Sequence, residues 1–383
     1  MRQTLRGRHR RATAVETSVS YRRDMTLTEP HPALLAETEH VAAATVWTEV
    51  CRLSDLEPLW GEAALVGSAQ IALFLLPDGS LFAVDNADPA TGAFVMSRGI
   101  VGSRAAAPTI ASPLHKDVFD LATGACLTRP DQLRLGTWRV RVHDGIVAVA
   151  PARALVAASH GTSDPVGRRA VSALVDGVRA ARPELTVHES FVDVQQPDVP
   201  EVLRHADAGT AAVIVPLLLS AGYHVHVDLA DAAEGADVSA SVAGALGPDP
   251  RLAAVLARRL REAGVDAGDP DTRIVLAAAG SSDAGAVADC HTMAEMLATH
   301  LGAPVSIGFV SAASPRIGDA VATARAGTTG RVAVATYLLA PGYFADLVRA
   351  ADADVVTAPL LAADSVPPAE LVQVVLDRFD ASA

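Results

Sequence analysis

Residues 154–164 read ALVAASHGTSD, and residues 274–283 read IVLAAAGSSD. Each is a short apolar run that breaks into a Gly-centred loop of small polar residues ending in Asp. Such runs suit strands buried on both faces of a parallel sheet. Working outward, Val166–Ala181 has helical spacing, Val187–Val192 is a second strand, Pro200–Ala208 a second helix, and Ala211–Leu219 a third, fully apolar strand. Strands alternating with helices imply βαβ units. The same series then repeats about 120 residues later. Ile274–Ala277 answers Leu155–Ala158, Gly280–Asp283 answers Gly161–Asp164, and Phe309-Val310 answers Phe191-Val192. Val334–Leu339 followed by Gly342-Tyr343 answers Ile214–Leu219 followed by Gly222-Tyr223. Four landmarks in one order at almost one offset imply two tandem α/β lobes, residues 151–267 and 268–383. Two such lobes face each other across a cleft, and ligands bind at the carboxyl ends of the strands.

The repeat supplies an internal control. His160 in the first lobe is matched by Ala279 in the second. Phe344 stands where His224 would be, Val348 where Asp228 would be, and Ser311 where Asp193 would be. One lobe therefore gathers imidazoles and carboxylates at one sheet edge, and its twin does not. This donor set suits a divalent first-row metal. No Cys lies near it, which disfavours structural zinc. His226 lies two residues from His224, so on a helix it points elsewhere and has a structural or solvent role. A Ser-His-Asp hydrolase is the rival chemistry, since Ser159 directly precedes His160, but no GxSxG elbow accompanies it.

Before Pro151 the pattern differs. Short apolar runs are split by Asp78-Gly79, Thr123-Gly124 and Asp144-Gly145, which are turn signals between strands. Residues 46–150 are expected to form a small all-β domain, and residues 1–45 a disordered tail and linker. Residues 1–24, with seven Arg against Glu16 and Asp24, carry a charge of about +5 within a chain of net charge −13. That stretch has no hydrophobic segment and makes a poor secretory signal; Met25 is a possible alternative start. The acidic remainder argues against nonspecific nucleic-acid binding. No apolar run has the length of a membrane span. Cys51, Cys126 and Cys290 are scattered with no CxxC, which suggests neither a disulfide framework nor a thiolate site and fits a reducing cytoplasm.

The string Ala158-Ser159-His160-Gly161-Thr162-Ser163-Asp164-Pro165, followed by Pro216–Asp228 (PLLLSAGYHVHVD), resembles the class II chelatases that insert metal into sirohydrochlorin. The resemblance covers residues 152–383 in the long, duplicated form of that family. It implies a lyase that takes sirohydrochlorin and Fe(II) or Co(II) as substrates, without ATP. It carries the family's two active-site histidines onto His160 and His224, and a carboxylate onto Asp193. Gly161 and Gly222 would lie against the tetrapyrrole, and Asp228 would join the metal-binding set. The family often has Arg where this chain has Ser163, so Arg168 or Arg169 would substitute in meeting a substrate carboxylate.

Residues 47–150 resemble the Rieske-like small subunit of assimilatory NAD(P)H nitrite reductase. The resemblance rests on Leu81–Pro89, Ser97–Gly102 and Ser112–Leu121. A Rieske cluster needs C-x-H and C-x-x-H boxes. Here these read Asn86-Ala87-Asp88 and Ser112-Pro113-Leu114-His115. Asn and Ser cannot replace thiolates, so no [2Fe–2S] cluster is expected and His115 is structural. The overall expectation is a cluster-less, Rieske-like all-β sandwich followed by two α/β chelatase lobes with parallel sheets. Nitrite reductase uses siroheme, so the expected activity is iron insertion, tethered to a partner, the nitrite reductase large subunit. The alternatives are an accessory subunit with a non-catalytic chelatase part and a cobalt chelatase of cobalamin synthesis.

Overall fold

The computed structural model describes residues 47–130, 132–206, 210–220 and 222–382, without the side chains of residues 223–226. The tail and linker expected over residues 1–45 lie outside the described residues.

The first domain is all-β. Strands β1 (Thr48–Arg52), β2 (Gly61–Val66), β3 (Ala69–Leu75), β4 (Leu81–Asp85), β8 (Thr137–His143) and β9 (Ile146–Pro151) form an antiparallel sheet in the order β1-β9-β8-β4-β3-β2. Strands β5 (Ile100–Arg104), β6 (Ala107–Ala111) and β7 (Val118–Asp120) form a second, three-stranded sheet. Local chemistry explains the turns. Asp144 and Gly145 both have positive φ, 51° and 74°, the backbone of a two-residue hairpin loop between β8 and β9. Strand β3 is buried on both faces. Ile71 and Leu73 pack with Trp138, Val147 and Val149, while Ala72 and Phe74 pack with Met96, Ile110 and Phe119. The period-2 geometry of the strand thus serves two small cores at once.

Each α/β lobe has a four-stranded parallel sheet. The first contains β10 (Arg153–Ser159), β11 (Thr186–Phe191), β12 (Ala211–Pro216) and β13 (Ala240–Val242) in the order β11-β10-β12-β13. The second contains β14 (Arg273–Ala278), β15 (Val305–Phe309), β16 (Val332–Tyr337) and β17 (Val355–Val356) in the equivalent order β15-β14-β16-β17. The helices are α1 (Pro165–Ala181), α2 (Val199–Arg204), α3 (Tyr223–Glu234) and α4 (Pro250–Glu262) in the first half, and α5 (Ala284–Leu301), α6 (Ile317–Ala326), α7 (Tyr343–Arg349) and α8 (Ala369–Ala381) in the second. Strand alternation sorts the core into layers. Val156, Ala158, Ala212 and Ile214 pack toward α2 and α3. Val275, Ala277 and Val334 pack toward α6 and α7. The opposite faces, with Leu155, Ala157, Val213 and Val215 in one sheet and Ile274, Leu276, Ala333 and Ala335 in the other, share one apolar cluster with α1, α4, α5 and α8.

The last helix of each half crosses to the other half. Helix α4 packs on α5 and β16, and α8 packs on α1 and β12. A Cβ added at Gly177 of α1 would stand 3.1 Å from Val372 Cγ2 of α8, so the two helices are in close contact. Polar contacts repeat the exchange. Arg259 of α4, buried to 9% exposure, donates to the carbonyls of Pro359 (3.2 Å) and Leu360 (2.8 Å). Arg378 of α8, at the equivalent place in the repeat, donates to the carbonyls of Ala245 (2.7 Å) and Leu246 (3.1 Å). Arg258 and Glu370 join α4 to α8 through two hydrogen bonds of 2.7 and 3.1 Å. Among the described residues, no helix is long and apolar enough to cross a membrane.

Fully buried Leu371 of α8 belongs to the shared cluster. Leu371→Ala is expected to cost about 2–5 kcal/mol. Hydrogen exchange is the check: protection should fall in β10 and β12 of the first lobe as much as in the second.

Candidate active site between the lobes

The parallel strands deliver their loops to one edge, and in both lobes that edge lines a single cavity of about 720 Å³. Residues 159–163 enter from the end of β10, 194–195 from β11, and 217–220 with Gly222 from β12. The second lobe contributes 278–282 after β14 and 337–345 after β16. The buried part of the lining is largely apolar, with Leu217, Ala278 and Tyr337 each at 2% exposure or less. Tyr337 crosses between halves, its hydroxyl donating to the Leu219 carbonyl at 3.0 Å. A Cβ at Gly247 would stand 2.1 Å from that hydroxyl oxygen, so only glycine fits beside it.

His160 is exposed on the loop after β10 and lines the cavity. Its carbonyl accepts the Asp193 N–H at 3.1 Å, which fixes the backbone that carries the imidazole. Gly161 has φ +88°, and a Cβ there would meet the Asp193 carbonyl oxygen at 2.3 Å. Gly280 repeats this geometry, with φ +88° and the Ser311 carbonyl oxygen at 1.9 Å. The glycine is therefore required by close packing of two loops in both lobes. Gly222 also lines the cavity and precedes α3.

Positions 224 and 226 fall in the first turn of α3, about 200° apart around its axis. The side chains of His224 and His226 lie outside the described residues. Asp193 and Asp228, expected to support the imidazoles, are off the cavity lining. The Asp193 carboxylate accepts the Val194 N–H at 2.7 Å, closing a tight turn in which Val194 takes φ +61°. Asp228 is exposed further along α3. Arg168 and Arg169, expected to meet a substrate carboxylate, are also off the lining. Both are exposed: Arg168 Nε donates to the carbonyl of Thr162, a lining residue, at 2.7 Å, and Arg169 pairs with Asp364 at 3.2 Å.

The described lining residues include no Arg, Lys, Asp or Glu. Among the described residues, no group of three or more His, Cys, Asp or Glu could hold a metal ion. Ser159 Oγ has no hydrogen-bond partner, so it is not engaged with the imidazole as a nucleophile–base pair would be. The repeat points to the sheet edge, but no local motif marks Gln195, Cys290 and Tyr337 as lining residues. Gln195 Oε1 accepts the Thr162 N–H at 2.9 Å and steadies the loop beyond His160. Burial pushes the Cys290 thiol up to about 11, partly offset by a hydrogen bond with Ser220.

In the β domain, the positions of the Rieske boxes form a polar network of their own. Asn86, Asp88 and Ser112 are all at 3% exposure or less. Asn86 Oδ1 accepts the Ser97 N–H at 2.8 Å. The Ser112 hydroxyl donates to one Asp88 oxygen. The other Asp88 oxygen accepts from the N–H groups of Ala90 and Thr91 and from the Thr91 hydroxyl, at 3.0–3.1 Å. Burial acts to raise the Asp88 pKa, but these hydrogen bonds outweigh it and hold the carboxyl below its ordinary value. His115 is exposed. An amide, a carboxylate and a hydroxyl, each already hydrogen-bonded, do not fit a cluster that takes two thiolates and two imidazoles.

Comparison with known proteins separates the same two parts. The model of a Rieske-like [2Fe-2S] domain family matches residues 46–150, and the CbiX family model matches residues 154–263 and 273–363. The nitrite reductase (NADH) small subunit of Escherichia coli K12 is 34% identical over 102 residues, 26% of this chain and 94% of that protein. A nitrite reductase [NAD(P)H] large subunit of Klebsiella oxytoca is 33% identical over 114 residues, 30% of this chain and 12% of that protein. SirB from Bacillus subtilis, solved with Fe3+, superposes with a TM-score of 0.50 over 61% of this chain and 96% of that one. At 20% identity that likeness concerns the fold alone.

Two chemical checks follow from the lining. Alkylation of Cys290 at pH 8 is expected to run at least roughly tenfold slower than that of a free thiol until the protein unfolds, because its thiolate is scarce; mass spectrometry of the alkylated peptide measures this. Gly161→Ala should lower the melting temperature, since the Asp193 carbonyl must move to admit the methyl group.

Proposed function

Because the chain belongs to the CbiX family and, over residues 46–150, to the family of nitrite reductase small subunits, we propose that it inserts Fe(II) into sirohydrochlorin to make siroheme. The observation that carries this is the interlobe cavity at the strand ends, with His160 on its lining where the matching second-lobe residue is Ala279. A tetrapyrrole gives up two pyrrole N–H protons as it takes a dication. A neutral imidazole can present the metal from one face or accept a proton. His160 and His224 share these tasks, and the metal is a substrate that passes through. Gly161 and Gly222 let the backbone approach the macrocycle closely. The second lobe is the opposite wall of the cavity.

The N-terminal domain argues for iron, since nitrite reductase uses siroheme. Its role is docking to the nitrite reductase large subunit in the cytoplasm. The 34% identity with a nitrite reductase (NADH) small subunit, over 94% of that protein, supports this.

The test is anaerobic mixing of purified full-length protein with sirohydrochlorin and Fe(II) or Co(II), followed by absorbance against the spontaneous rate. His160→Ala and His224→Ala should each slow insertion by about 10²-fold or more. Equal rates for wild type and both variants would remove the histidines from the mechanism. Faster insertion of Co(II) than Fe(II) would reassign the metal.

A further inference from the structure

Ser159 ends β10, next to His160, and is 4% exposed. Among the described residues its Oγ is the one buried side-chain polar atom without a hydrogen-bond partner. Strand alternation sets it on the same face as Leu155 and Ala157, the face shared between the lobes, and it lines the cavity. The fold does not need a hydroxyl there. The matching residue of the second lobe is Ala278, which is equally buried and lines the same cavity with a methyl group. A buried hydroxyl left unpaired is less favourable than a methyl, so its presence calls for a partner that enters from outside the chain.

The chemistry of the lining says what that partner is. The described lining residues include no Arg or Lys; Arg169 pairs with Asp364, and exposed Arg168 gives its Nε–H to the Thr162 carbonyl at the edge of the lining. An anionic group entering the cavity must be met by neutral donors, and Ser159 holds the most deeply buried free one. We propose that Ser159 is a substrate-binding residue whose hydroxyl donates to a carboxylate of the tetrapyrrole, giving the cavity a charge-neutral means of recognising an acidic macrocycle. This rests on the function proposed above and adds a recognition element inside the cavity, where no Arg or Lys lines it among the described residues.

The experiment is a fluorescence titration of the metal-free full-length chain, wild type and Ser159→Ala, with sirohydrochlorin and with its neutral methyl ester. The variant copies the second lobe's own residue, so its melting temperature should equal or exceed that of wild type. Its Kd for the acid should rise about tenfold or more, as for loss of a hydrogen bond to a charged group, while its Kd for the ester changes little. Equal acid affinities, equal losses for acid and ester, or a lower melting temperature would each overturn the assignment. Wild-type protein that binds the acid through Ser159 yet inserts no metal would overturn the chelatase function and leave this assignment standing. Wild-type protein that binds no sirohydrochlorin would overturn both.

Discussion

The reciprocal crossing of α4 and α8 is the constraint on which the α/β region depends. Each sheet is covered on one face by helices of its own half. On the other face it is covered in part by the last helix of its partner. The buried contacts of Arg259 with Pro359 and Leu360, and of Arg378 with Ala245 and Leu246, fasten each crossing helix to the loop after the other sheet's last strand. Neither half can close its core alone. The cavity is a result of this arrangement, because it is bounded by strand ends whose spacing the two crossed helices set.

Three duplicated strands of each lobe and the sheet edge carrying His160 were legible in the sequence, because buried parallel strands and glycine loops leave local signatures, whereas the short edge strands β13 and β17 were not. The helix crossing was not. Two similar halves offer each terminal helix two nearly equivalent sheets, and exchanging them changes no local pattern. Asp193 stands off the cavity lining for a related reason. A carboxylate after a strand suits a ligand or a tight turn equally well, and here the turn at Val194 takes it. Arg168 and Arg169 lay near the right loop in sequence, but the phase of α1 decides direction, and it points them to Thr162 and Asp364. Ser159 stood beside the expected histidine and was weighed only as a nucleophile.

The β domain keeps the Rieske scaffold but fills its ligand positions differently. Asp88 and Ser112 come from the two loops that cluster ligands would join, and a hydrogen bond now links them. Asn86 turns its amide oxygen to the backbone of Ser97. A buried network in which each member has a partner can hold two loops in register.

The lack of Arg, Lys, Asp and Glu among the described lining residues has a kinetic side. The chain carries a net charge of −13. A polyanion approaching it is repelled at long range, and the described lining residues offer it no Arg or Lys. Repulsion between like charges is screened as ionic strength rises, over a Debye length of about 8 Å in physiological salt. Association of such a ligand therefore quickens with added salt, the reverse of electrostatic steering. Residence, once the ligand is inside, depends on short-range hydrogen bonds and packing, which salt hardly touches.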